Sequence, residues 1–219
     1  MCGIAGFTAP GREAEAVLAQ MTRALAHCGP DASGVFVDDR IALGHRRLAI
    51  IDLAGGAQPR VDRTTGDALV FNGEIYGYRT LADELRGADI ILRDRSDTEV
   101  LFQLICRIGL HRAVERIDGM FAFAFRDGAS GALHLVRDRF GEKPLYWGQA
   151  RGRLVFRLAG FRAALPPGFC ETGIDRQAAY GLLLFEYLPG SASSWSGIEK
   201  LELSTILTFA DRRISRERY

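Results

Sequence analysis

Three features of the sequence predict an α+β fold, in which helices cover a pair of antiparallel sheets. Helical patterns stand early and again near residues 175–187, strand patterns come in clusters, and the clustered strands are joined by short turns. Such turns allow only antiparallel neighbours, because a parallel connection needs a long crossover.

Taken in order, GIAGFTA (3–9) reads as a short buried strand. REAEAVLAQMTRALAHC (12–28) reads as a helix with Ala14, Val17, Leu18, Met21 and Leu25 near one face, broken by GPDASG. Strands are expected at VFVDD and at IALGHRRLAIIDL, the second bent at Gly44. VDRTTGD is a turn, ALVFNGEIY a strand entering a glycine-bearing loop, and YRTLADELRG a short helix. SDTEVLFQLICRIG has the clearest helical signature. Ser96 and Glu99 fit a capping box, Val100, Leu101, Leu104, Ile105 and Ile108 form a stripe, and Gly109 stops it. FAFAFRD, ALHLVRD, PLYWGQ and RLVFR follow as strands, with FAFAF packing between layers, and ILTFADRRISRERY closes as a hairpin around ADRR. The Pro/Gly-rich piece 166–173 reads as a local linker.

The bulk composition excludes several classes of function. At 219 residues the chain suits one large domain, or one domain with a tail. A net charge of +1 leaves no basic excess for nucleic acid or anionic lipid. Neither a signal peptide nor a membrane-spanning run is expected. Cys2, Cys28, Cys106 and Cys170 have neither metal nor disulfide spacing, which favours free thiols in a cytoplasmic protein. His27, His45, His111 and His134 are scattered, so no metal site is expected. Cys106, beside apolar helix residues, reads as core.

Four groups of residues carry chemistry. Removing Met1 would leave Cys2 with both a thiol and an α-amine of pKa about 8, a nucleophile with its own base. By itself, an incidental buried thiol is the more ordinary reading. Asn72 and the Gly73 N–H can converge as an oxyanion hole, although Asn-Gly is also a common hairpin turn. Arg46 and Arg47 lie in an apolar strand and must face opposite sides. One could grip a carboxylate, while an internal salt bridge is the plain reading for each. Asp97 sits in the first turn of its helix, where the dipole favours an acid, and with Glu74 it could receive an ammonium. Together these groups describe a site for an amino acid with a reactive side-chain carbonyl. The stretch from Arg137 to Lys143 is expected to order a loop by ion pairs.

MCGIAGF, HCGPDASG, LGHRRLAIIDL with GAQP, FNGEIYGY, SDTEV, DGMFAFAFRD and VRDRFGEKPLYW follow one another in a familiar order. Over residues 2–157 the sequence resembles the glutaminase domain of class II glutamine amidotransferases, most closely the asparagine synthetase type. The resemblance implies the αββα sandwich of N-terminal-nucleophile hydrolases, with two antiparallel sheets between helix layers. It implies that Cys2 attacks the glutamine side-chain amide to form a thioester, with Asn72 and Gly73 as the oxyanion hole. Arg47 would bind the glutamine carboxylate, backbone groups of a Leu48–Ala49–Ile50–Ile51 strand would line the pocket, and Glu74 and Asp97 would receive the α-ammonium.

Residues 1–219 are then expected to form one glutaminase domain. The family's ATP-dependent synthetase domain, with its S-G-G-x-D-S-like loop, has no counterpart in this sequence. No cofactor is expected in this chain, since ATP and Mg belong to that other domain. The expected partners are glutamine and a separate or excised synthetase domain or subunit, with a homodimer left open and neither nucleic acid nor membrane involved. Three departures from the family pattern stand out. Cys28 replaces the arginine of H-R-G-P-D, LAGFRAAL replaces S-E-x-K-A-L, and EKLELSTILTF lacks Pro-Pro-Gly. They leave open a degenerate binding or regulatory module, or a glutaminase serving another amide-forming synthetase.

Overall fold

The computed structural model describes residues 2–158 and 173–219. Met1, Cys170, the linker piece 166–172 and the part of LAGFRAAL after Leu158 lie outside the described residues.

Two six-stranded antiparallel sheets form the body. The first runs β10 (Ile198–Lys200), β8 (Tyr146–Ala150), β9 (Arg153–Arg157), β1 (Gly3–Thr8), β3 (Ile41–Arg47) and β2 (Ala32–Val37). The second runs β12 (Arg213–Arg218), β11 (Thr205–Ala210), β7 (Leu133–Arg137), β6 (Asp118–Arg126), β5 (Ala68–Tyr76) and β4 (Arg60–Val61). Period-two alternation gives each central strand two apolar faces, and both are covered. Ile4, Leu43, Val70, Ala122, Leu135, Phe156 and Leu207 fill the gap between the sheets.

Helix α1 (Ala14–Arg23) covers the outer face of the first sheet, packing Ala14, Leu18 and Met21, followed by Leu25, on Ala5, Phe7 and Ala42. Helices α3 (Asp97–Ile108) and α4 (Leu110–Arg116) cover the second sheet, where Phe121, Phe123 and Phe125 meet Leu101, Leu104, Ile105 and Val114. Helix α2 (Tyr78–Gly87) packs on α3 through Ala82, Leu85 and Val100. The layers therefore stack as α, β, β, α. Helix α5 (Arg176–Phe185) has no buried residue. No helix among the described residues is long and apolar enough to cross a membrane.

Several local expectations change. The α1 helix ends at Arg23 and continues to Cys28 as turns. The ladder of β3 runs unbroken through Gly44, paired to Ala5 and Val35. That glycine instead admits α1, because a Cβ there would lie 2.4 Å from Thr22 Cγ2. The strand ends at Arg47, so Leu48–Ile51 is loop rather than strand. Only half of the capping box forms. Ser96 Oγ accepts the Glu99 N–H, while the Glu99 carboxylate turns to Arg60 and Gln103 and the Ser96 N–H donates to Asp94. Cys106 lies off the helix's apolar stripe and is exposed, its thiol donating to Asp67.

Loop 138–143 is ordered chiefly by side chain–backbone bonds rather than ion pairs. Buried Asp138 accepts N–H groups from Phe121, Phe140, Glu142 and Lys143, and Arg137 donates to the carbonyls of Lys143 and Leu201.

Candidate active site

The same register that fills the gap between the sheets builds a polar cavity at one end of it. Ile4, Leu43, Val70 and Ala122 point inward. Two residues further along, or four for β3, the inward positions are Cys2, Arg47, Asn72 and Met120, followed by Glu74. All five line one cavity of about 180 Å³, together with Leu48, Ile50, Ile51, Gly73 and Asp97. The cavity thus gathers the nucleophile, the oxyanion donors, Arg47, Glu74, Asp97 and the predicted pocket lining except Ala49, while Arg46 lies off it. The N–H of Ala49 is held by Asp31 Oδ2 at 2.8 Å, and its side chain is not on the wall.

Cys2 is half-buried at the head of β1. Its thiol donates to the Leu48 carbonyl at 3.6 Å and its sulfur accepts the Leu48 N–H at 3.4 Å. Burial raises the thiol pKa, against the lowering effect of the Leu48 N–H and the Arg47 charge. The thiol therefore needs a base to become a nucleophile.

The outer edge of β5 explains the next two groups. Strand β4 pairs only with Ala68 and Leu69, so among the described residues the main chain beyond has no partner strand on that side. Side chains take its place: Gln58 Oε1 accepts the Phe71 N–H at 2.6 Å, and Asp97 Oδ2 accepts the Ile75 N–H at 3.1 Å. Alternation turns the N–H of Gly73, midway between them, to the same side, where the cavity lies. Asn72 is 1% exposed, and its Nδ2 donor has no partner among the described residues. A buried amide with no acceptor is costly, and here it faces a cavity next to a thiol. Asn-Gly is no hairpin turn in this chain, since both residues lie inside the continuous β5–β6 ladder. Glycine is required because a Cβ at position 73 would lie 2.1 Å from the Met120 carbonyl oxygen.

Charges complete the site. Among the described residues, neither arginine of β3 takes the salt bridge expected of it. Arg46 Nε donates to the Gly29 carbonyl at 3.1 Å, and Arg47 Nη2 to the Asp52 and Ile51 carbonyls at 2.6 and 3.3 Å. Those carbonyls hold the Arg47 guanidinium at the cavity wall without neutralising it. Asp97 opposes it from the start of α3, its carboxylate accepting the N–H groups of Ile75 and Thr98. Burial pushes its pKa up to about 6, with the Glu74 charge adding to the rise and the two N–H bonds opposing it.

Gln58, Ser96, Thr98 and Lys143 also line the cavity and were not singled out from the sequence. Each lies in a stretch quoted above, Gln58 in GAQP, Ser96 and Thr98 in SDTEV and Lys143 in VRDRFGEKPLYW, which was the available signal. Cys28 is not on the wall; it packs against the α1 side of the first sheet.

The model of the family described as glutamine amidotransferase domain matches residues 1–219. Asparagine synthetase (glutamine-hydrolyzing) 1 of Bacillus subtilis is 33% identical over 207 residues, covering 92% of this chain and 32% of that protein. Asparagine synthetase B (glutamine-hydrolyzing) of Escherichia coli is 34% identical over 153 residues, covering 70% of this chain and 27% of its own length. The chain thus spans about a third of the length of these curated relatives. Among solved structures, the glutamine phosphoribosylpyrophosphate amidotransferase of B. subtilis superposes with a TM-score of 0.70 at 20% identity, over 99% of this chain and 49% of that one, and so shares the fold. The chain belongs to the glutamine amidotransferase domain family.

Proposed function

We propose that this chain hydrolyses the side-chain amide of glutamine to glutamate and ammonia, with Cys2 as nucleophile. The observation that carries this reading is one cavity lined by a thiol, an unpartnered buried amide donor, a guanidinium and two carboxylates. The arginine suits the α-carboxylate of an amino acid, and Glu74 with Asp97 suits its α-ammonium. These two grips direct the side-chain amide toward Cys2.

Loss of Met1 frees an amine with a pKa of about 8, which takes the thiol proton. The thiolate then attacks the amide carbon, and the oxyanion receives the Asn72 amide and the Gly73 N–H. Collapse of this adduct breaks the C–N bond, and the ammonium of Cys2 returns its proton to the departing ammonia. Water next attacks the thioester, passing a proton back to the sulfur through the same amine, and glutamate leaves. The Leu48 N–H supports the sulfur whenever it carries charge. We assign the ammonia to an amide-forming synthetase partner, as the names of the longer relatives suggest.

The test is a glutamate-release assay on protein lacking Met1, with and without a candidate synthetase subunit. Wild-type protein should release glutamate and Cys2→Ala should release none; retention of the wild-type rate in Cys2→Ala would remove Cys2 from the reaction.

A further inference from the structure

Separate segments carry the two grips on the substrate head. Arg47 is braced by carbonyls of the loop that follows β3, whereas Asp97 opens α3. The loop and the residues leading into α3 meet at Gly55 and Gly56. A Cβ on Gly55 would lie 2.3 Å from Asp52 Oδ2 and 2.7 Å from the Asp94 Cβ. One on Gly56 would lie 3.0 Å from Arg47 Nη2 and 3.5 Å from the Ser96 Cβ. Glycine at both positions lets the two segments close on each other.

Two carboxylates lock this contact from opposite sides. Asp52 Oδ2, on the loop, accepts the Arg95 N–H at 2.8 Å, and Asp94 Oδ2, across from it, accepts the Gly56 N–H at 2.9 Å. Each side chain is also fixed on its own side. Asp52 Oδ1 accepts the Gly55 N–H at 3.0 Å, and Asp94 Oδ1 accepts the Ser96 N–H and hydroxyl at 3.0 and 2.7 Å. Buried Arg60 of β4 pairs with Asp94 through Nη2, and its Nε lies 3.0 Å from the Glu99 carboxylate of α3. Asp52 has φ +50°, a left-handed backbone that aspartate adopts more readily than most residues. From that conformation its carbonyl reaches Arg47 at 2.6 Å while its carboxylate reaches Arg95. One residue thus joins the guanidinium to the start of α3.

An α-amino acid carries its carboxylate and ammonium on one carbon, so the separation of the two grips decides whether both are met at once. We infer that Asp52 and Asp94 form a latch that sets this separation, making both of them positioning residues for the substrate head. This rests on the glutaminase reading but concerns two side chains that do not line the cavity. Neither is hydrogen-bonded to Asn72 or Gly73, so the latch acts on binding rather than on the oxyanion.

The experiment measures glutamate release by Asp52→Asn and Asp94→Asn, each alone and combined with Asp97→Asn. Asparagine has one acceptor oxygen where aspartate has two, and it tolerates the left-handed backbone of position 52. Each single substitution should raise KM about tenfold, as for the loss of a bond to a charged acceptor, with kcat unchanged. In the Asp97→Asn background the same substitutions should raise KM by about twofold at most, because one grip is already lost and the separation no longer matters. Glutamine titrated into Cys2→Ala protein, with and without Asp52→Asn, should show the same loss of affinity with no turnover.

Equal effects on KM in the two backgrounds, or a loss confined to kcat, would overturn the inference. If Asp94→Asn does not fold, the half-buried Asp52 decides the matter alone. An inactive wild-type protein would sink the glutaminase reading and the latch with it, whereas an active one whose KM ignores both substitutions would sink the latch alone.

Discussion

The two edges of β5 are finished in different ways. Toward β6 the strand has a continuous ladder from Ala68 to Tyr76, and the residues along it serve packing. Toward β4 the pairing stops after Leu69, and Gln58 and Asp97 take up main-chain N–H groups one by one. A complete ladder leaves no N–H for a ligand, because every group is already satisfied. The interrupted edge leaves the Gly73 N–H directed to the cavity and sets it beside the Asn72 amide. Chemistry in this fold is thus placed where a sheet is left unfinished, and the capping side chains keep the unfinished edge rigid.

The largest way to break this comparison, short of removing Cys2, is at Asn72. Asn72→Ala should reduce kcat by about 10²–10³ with a much smaller change in KM, since the lost donor acts on the oxyanion and not on bound glutamine. A change of similar size in KM would move Asn72 from the transition state to ground-state binding.

A smaller effect tests the far end of the same edge. Asp97 has a pKa raised to about 6, so its carboxylate is charged above that pH and neutral below it. An ammonium loses its partner when the acid is protonated, so kcat/KM should fall on the acid side of about pH 6 through a rise in KM. A flat KM from pH 5 to 8 would remove Asp97 from the ammonium grip. The smallest effect concerns a cap. Gln58→Leu leaves the buried Phe71 N–H without an acceptor and should cost about 1–3 kcal/mol of stability in a denaturant titration. An unchanged midpoint would mean that the edge does not depend on its caps.

Much of this was legible in the sequence because the signals are local. The bounds of β5, α2 and β9 coincide with their expected stretches, where an alternating or helical pattern is flanked by glycine or a turn. Cys2, Arg47, Asn72, Gly73, Glu74 and Asp97 meet in one cavity because their motifs lie on facing elements at the same end of the gap between the sheets. What was not legible depends on partners distant in sequence. Apolar residues alone made 48–51 look like a strand, but the sulfur of Cys2, 46 residues away, takes the Leu48 N–H and Asp31 takes that of Ala49. Thr98 and Lys143 lie inside quoted motifs, but neither motif shows which of its side chains would reach the cavity. The seven residues of α4 were too few to show a period. Cys106 looked like core because its neighbours are apolar, whereas the helical turn carries it past the stripe to solvent.

The most direct test of the central claim is intact-mass analysis of Met1-free protein mixed with glutamine and quenched in acid. The account predicts a γ-glutamyl adduct confined to Cys2, formed by wild-type protein and accumulating far more slowly in Asn72→Ala. Release of glutamate with the adduct on another residue, or an adduct forming as fast without the Asn72 amide, would contradict it.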